Sequence, residues 1–111
     1  MALGYAIKGR GTSGDMFVRI VDITFDAAYA AGGYTLDTRA IGIGSSGVVL
    51  AVIPCGEVDG YNAEWDESAS KLKVRDSSGA VGVANPEAAT NLAALAGLVG
   101  RFVIYGKGSP G

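Results

Sequence analysis

Met16–Phe25 reads MFVRIVDITF, and the fold turns on how this stretch is interpreted. β-Branched and aromatic residues dominate it, which marks a strand. Side chains of a strand alternate between two faces, so Phe17, Val21, Ile23 and Phe25 fall on one side and Met16, Val18 and Ile20 on the other. Both faces of the first half are therefore apolar. Such a strand needs cover on both sides, by a second sheet and by either a loop or a neighbouring subunit.

Working outward, Gly47–Pro54 (GVVLAVIP) is a continuous apolar run ended by a proline and reads as a core strand. Leu98–Tyr105 (LVGRFVIY) reads as a last strand, and Leu3–Lys8 as a short edge strand. Tyr61, Ala63 and Trp65 alternate with Asn62, Glu64 and Asp66. After a polar turn at Glu67–Ser70, Leu72 and Val74 alternate with Lys71, Lys73 and Arg75, which makes a β-hairpin with Glu64 near Lys71 or Lys73. The link Tyr29–Gly47 is too rich in glycine for more than one helical turn, Thr38–Ile41, capped by Asp37. Beyond Asp76-Ser-Ser-Gly79 lies a weak segment around Val81–Val83. Asn85-Pro86-Glu87 suits a helix start, and the alanine-rich stretch to Ala96 reads equally as a short helix or a loop. Eighteen glycines punctuate these segments at the spacing of turns. The expectation is an all-β single domain over residues 1–111, a β-sandwich or small β-barrel with at most one or two short helices, and with 1–2 and 106–111 as loose tails.

Charge and composition narrow the function. Only 18% of residues are charged and 49% are hydrophobic, against roughly 25% charged in ordinary domains, so part of the surface is expected to be covered by a partner. The nine Lys and Arg residues are scattered over a chain of net charge -2, which leaves no basic stripe for a nucleic acid. The single cysteine, Cys55, reads as a buried thiol. No charged-then-apolar leader and no apolar run of membrane length occurs, so a soluble protein is expected.

The absence of histidine removes Ser-His-Asp and Cys-His catalysis and histidine-based metal sites. Carboxylate-pair chemistry has Glu57, Asp59, Glu64, Asp66 and Glu67 to draw on, but these fall at turns or on the polar side of the hairpin. Two G-x-G-x-x-G patterns, at Gly9, Gly11 and Gly14 and at Gly42, Gly44 and Gly47, precede strand-like segments rather than a helix and read as turns. No catalytic, cofactor-binding or metal-binding residue is assigned, and no enzyme activity is expected. Tyr5, Tyr29, Tyr34, Tyr61, Trp65 and Tyr105 are the aromatic side chains that a sugar-stacking platform would use. A carbohydrate-binding β-sandwich, with a host-surface glycan as ligand, is the alternative reading.

The order GDMFVRIVDITFD, AAYAAGGYTLDTRAIGIGS, VLAVIP, GYNAEWDESASKLKVRD and LVGRFVIYGKG resembles small β proteins of tailed-bacteriophage virions, of the head decoration or cement type. The NAEWDESASKLKV hairpin and the Gly-Gly connector carry most of the likeness. It implies a protein on the capsid exterior, made in the host cytoplasm, that binds the major capsid protein and stabilises the head. It also implies a homo-oligomer, often a trimer, and a tail or connector component would fit the same likeness. Interface candidates are Leu3, Tyr5 and Ile7 on an edge strand offered to a neighbour's sheet, with Tyr29, Tyr34, Leu92 and Leu95 as apolar residues outside the expected strands.

Overall fold

The computed structural model describes residues 3–44, 47–76, 87–88 and 90–108. Six strands form two antiparallel sheets: β1 (Gly4–Ser13), β2 (Met16–Thr24), β3 (Val48–Pro54), β4 (Tyr61–Asp66), β5 (Lys71–Asp76) and β6 (Val99–Lys107). The larger sheet runs β1-β2-β6-β3 and the smaller is the β4-β5 hairpin. One helical turn, α1 (Thr38–Ile41), and a 3-10 turn at Ala93–Leu95 are the helical elements among the described residues. The expected mainly β architecture is what the chain adopts.

The long apolar strand becomes β2, paired on one side with β1 and on the other with β6. Its inward residues Val21 and Ile23 are fully buried, as are Phe102 and Ile104 opposite on β6. The hairpin contributes Ala63, Leu72 and Val74 to the same core, and the connector contributes Tyr29, Tyr34, Ile41 and Ile43. Each large side chain so buried stabilises the fold by about 1.5–3 kcal/mol.

Asp37 caps α1 as its sequence implies, its Oδ1 accepting from the Arg39 and Ala40 amides. Gly42 closes the turn in the left-handed conformation. The run Gly47–Pro54 departs from its reading as a core strand: β3 is a sheet edge, with Val52 its one buried residue. A continuous apolar run cannot by itself tell a buried strand from one that awaits cover. Asn85, Pro86 and the Val81–Val83 segment lie outside the described residues.

Two glycines set how closely the layers approach. Gly33 has φ +119° and sits where any Cβ would lie 2.7 Å from the Leu72 carbonyl oxygen. This proximity lets Tyr34 exchange both backbone hydrogen bonds with Leu72, at 2.8 and 2.9 Å. Gly106 on β6 gives Ile43 Cδ1 the space that a Cβ would take, at 2.8 Å. Gly33 admits no other residue without backbone movement, whereas a Cβ at Gly106 would first displace the end of the Ile43 side chain.

A buried polar knot ties the connector to β5. The Tyr29 hydroxyl donates to Glu87 Oε2 at 2.6 Å and accepts from the Val74 amide at 3.1 Å, while the Gly32 amide donates to the same carboxylate oxygen at 2.7 Å. Burial, then the bond to Glu87, pushes the Tyr29 phenol well above its ordinary value. Tyr34 donates to the Asp26 carbonyl at 2.7 Å and is pushed up to about 12, chiefly by burial. Tyr29→Phe removes a hydroxyl that serves two partners and should lower stability by about 1–3 kcal/mol in urea unfolding. The Tyr29 hydroxyl and then the Gly32 amide hold the Glu87 carboxyl below its usual range. Its contribution is therefore present above the ordinary carboxylate pKa and lost as pH falls through the depressed folded value. Glu87→Gln should flatten that acid limb in urea titrations between neutral and strongly acidic pH.

Candidate docking face

Alternation along β2 and β6 sends one set of side chains into the core and the other to the opposite face of the large sheet. The backbone register places that second set in rows across the four strands. One row is Gly9, Ile20, Val103 and Ile53, and the next is Gly11, Val18, Tyr105 and Ala51. A third row places Ala6 beside Asp22 and Arg101, and the Cys55 amide donates to the Arg101 carbonyl at 2.9 Å.

This face is open. Ile20 is 38% exposed, Val48 57%, Leu50 39%, Ile53 50% and Val99 54%, whereas large apolar residues of comparable strands ordinarily face a second layer. Four strands about 4.8 Å apart and about seven residues long give roughly 440 Å² in projection. The apolar part of it, on β2, β6 and β3, is smaller, because the face also carries the β1 glycines and the Asp22–Arg101 pair; apolar patches of this kind commonly mark contact sites.

Charges on and near the face are paired with each other. Arg101 Nε and Nη2 donate to the two oxygens of Asp22 at 2.6 and 3.0 Å, a bidentate pair. The hydrogen bond from Arg101 holds the Asp22 carboxyl below its usual range. Lys107 pairs with Asp15 at 3.6 Å at the far end. The open surface therefore presents mainly apolar side chains and the Tyr105 ring, with the Asp22–Arg101 pair toward one end and the Lys107–Asp15 pair toward the other.

Both sheet edges are interrupted. β1 carries a bulge between Ile7 and Gly9 with Lys8 at the break, and β3 a bulge between Val49 and Ala51. The Cys55 amide points to β6, so alternation turns Ile53 toward β6 and Pro54 outward, where its missing N–H deprives an added strand of a donor. Bulges, a lysine and a proline at these places are the usual guards against edge pairing.

The residues offered from sequence as contacts are mostly inside. Tyr29, Tyr34 and Leu95 are core residues, and Leu3, Tyr5, Ile7 and Leu92 pack partly buried against that core. The Tyr5 hydroxyl accepts from the Asp37 amide at 2.9 Å, which ties β1 to the helical turn. Signals for the true open face were present in the sequence as Met16, Val18 and Ile20, the second apolar side of β2. Cys55, read as buried, is exposed; a residue just past the strand-ending proline loses the cover the strand has.

Among the hairpin acids, Glu64 is bound to Arg75 at 2.6 Å, and Asp66 to Lys73 at 3.6 Å and the Ser68 hydroxyl at 2.9 Å. Ser68 and then the Ala69 amide hold Asp66 below the usual carboxylate range. No group of three or more potential metal ligands occurs among the described residues, and no described helix is long and apolar enough to cross a membrane. Gly9 and Gly11 lie within β1, Gly14 in the β1–β2 turn, and Gly42 caps α1.

A second feature is a cavity of about 280 Å³ between β3, the hairpin and the connector, lined by Leu36, Val48, Val49 and Trp65 with the hydroxyl residues Thr35, Thr38 and Ser70. Lys71 Nζ donates to the Thr35 hydroxyl beside it. Trp65 Nε1 is buried without a hydrogen-bond partner among the described residues. On the inner face Arg19 is buried, its guanidinium donating to the Val18 and Gly42 carbonyls at 3.0 and 3.1 Å, and burial, then neighbouring Arg10, lowers its pKa.

No protein-family model, curated protein or solved structure matches this chain.

The exposed Cys55 thiol should be labelled by a thiol-specific reagent in the native, dilute protein without denaturant. Labelling that requires denaturant would show that the end of β3 is covered.

Proposed function

We propose that this chain is a structural protein of a tailed-bacteriophage virion, of the head decoration type, which attaches by covering its open sheet face with another protein subunit. The observation that carries the reading is the outer face, with its apolar rows running unbroken from β2 through β6 to β3. A soluble domain that leaves a whole sheet face uncovered is incomplete until a partner supplies the missing layer. Paired charges and blunted edges leave burial of this face as the main source of contact energy. Each contact is small, so attachment to a lattice gains its strength from many copies held at high local concentration. The capsid exterior, built from repeated copies of the major capsid protein, offers that geometry.

The direct test is co-sedimentation with assembled capsids of the parent phage. Ile20→Asp places a charge in the centre of the face without touching the core, and occupancy should fall at least about tenfold. Unchanged occupancy of this folded variant would exclude the face.

The cavity beside Trp65 favours a second reading, a carbohydrate-binding module in which hydroxyl groups and an unpartnered indole N–H meet a sugar. Glycan-array binding that disappears in Trp65→Ala would establish it in place of the first.

A further inference from the structure

Off the capsid, we propose, the open face is covered by a second copy of this chain, packed back to back so that two four-stranded sheets form the halves of one sandwich, and this pair must part before the same face can be buried against a capsid subunit. This rests on the reading of the face as a protein contact, and it identifies the partner from the face itself.

The face is graded in height across the sheet. On β1 its residues are Gly4, Ala6, Gly9 and Gly11, while on β3 and its neighbour β6 they include Ile53, Val103 and Tyr105. Ile20 already leans over Gly9, where a Cβ would lie 3.3 Å from its Cδ1. The β1 edge is therefore low, most of all at Gly11, while the β3 edge is high at Ile53 and drops at Ala51. A flat partner would meet the high edge and leave a gap over the glycines.

A two-fold axis parallel to the strands, passing between β2 and β6, solves this. It lays β1 of one copy over β3 of the other and β2 over β6. Ile53 then descends at the other copy's Gly9, beside the Ile20 that leans there, and Ile20 meets the other copy's Val103, so in this row high meets low on both sides. The same operation places Asp22 over the other copy's Arg101 and Arg101 over the other copy's Asp22. The ion pair within each copy thus becomes a four-charge square of alternating sign, and no like charges are opposed. An axis in the sheet plane but perpendicular to the strands would instead stack high on high and glycine on glycine. Shape and charge select one isologous arrangement, as two-fold contacts require.

The area decides how tight the pair is. Two faces of roughly 440 Å² in projection give a total near 900 Å², about the lower bound for a specific contact and below the 1,200–2,000 Å² of stable complexes. The dimer is therefore reversible, with monomer appearing on dilution.

Sedimentation equilibrium at submillimolar concentration should show dimer dissociating on dilution, and Val103→Arg should give folded monomer at every concentration. Proximity gives a second measurement that does not depend on that variant. The arrangement sets Ala6 of one copy over Cys55 of the other, so Ala6→Cys in the presence of Cys55 should be joined between copies by a thiol crosslinker spanning about 8 Å, matched to sheets packed about 10 Å apart. Ala6→Cys with Cys55→Ser, and the wild type, should not be joined. Monomer at all concentrations, a trimer, or a dimer in which Ala6→Cys fails to crosslink would each overturn the proposal. A wild-type monomer whose capsid binding is lost in Ile20→Asp would sink the dimer and leave the proposed function standing. A crosslinked dimer that ignores capsids would do the reverse.

Discussion

The β2–β6 ladder is the constraint on which the rest of the molecule depends. Eight consecutive residue pairs, from Phe17 with Gly106 to Thr24 with Val99, hold two central strands in one register. Because side chains alternate, that register commits Val21, Ile23, Phe102 and Ile104 to one side and Val18, Ile20, Val103 and Tyr105 to the other at the same time. A slip by one residue would exchange the two sets. The core side is satisfied within the chain. The second apolar side is a consequence of the same choice, and the chain keeps nothing of its own to place over it among the described residues.

The inner cover shows how much a small chain must spend on one face. The hairpin, the Tyr29–Ile43 connector and the 3-10 turn all serve to roof it, and they are held in place by specific polar contacts. Tyr29 and Tyr34 meet edge to face, with centroids 5.0 Å apart at 84°, and Phe25 lies 5.5 Å from Tyr34. The Tyr29 hydroxyl and Glu87 join sequence positions 58 residues apart. Such a roof needs glycine at Gly33, where backbone passes over backbone. With these loops committed to the inner face, no described residue is left to roof the outer one.

Much of this was legible in the sequence. Period-two patterning located β2, β4 and β5, the run Leu98–Tyr105 located β6, which continues through Gly106 and Lys107 into the expected tail, and the Asp37 cap located α1 to the residue, because these signals are local. The double-sided character of β2 already asked for cover on both faces, by a second sheet and by either a loop or a neighbouring subunit. What escaped was tertiary. The run Val48–Pro54 is apolar for its outer face and not for double burial, and no local pattern distinguishes these. Tyr29, Tyr34 and Leu95 looked like surface anchors because they lie outside strands, yet loops that roof a core carry core residues too. Lys8 was unremarkable in the sequence and Pro54 read only as the end of a strand; both take on the role of edge guards once β1 and β3 prove to be the two edges.

Electrostatics complete the account of what kind of contact this surface can make. Four of the cations are bound to carboxylates on the chain itself: Lys73 to Asp66, Arg75 to Glu64, Arg101 to Asp22 and Lys107 to Asp15. Exposed pairs of this kind contribute little stability, typically 0–1 kcal/mol each. Their effect is on recognition, because groups matched in this way exert little long-range pull on an oppositely charged partner. Where they lie, discrimination falls to shape at short range. A face that rises from glycine at one edge to isoleucine at the other carries that information in its relief, and it fits only a surface that falls where it rises.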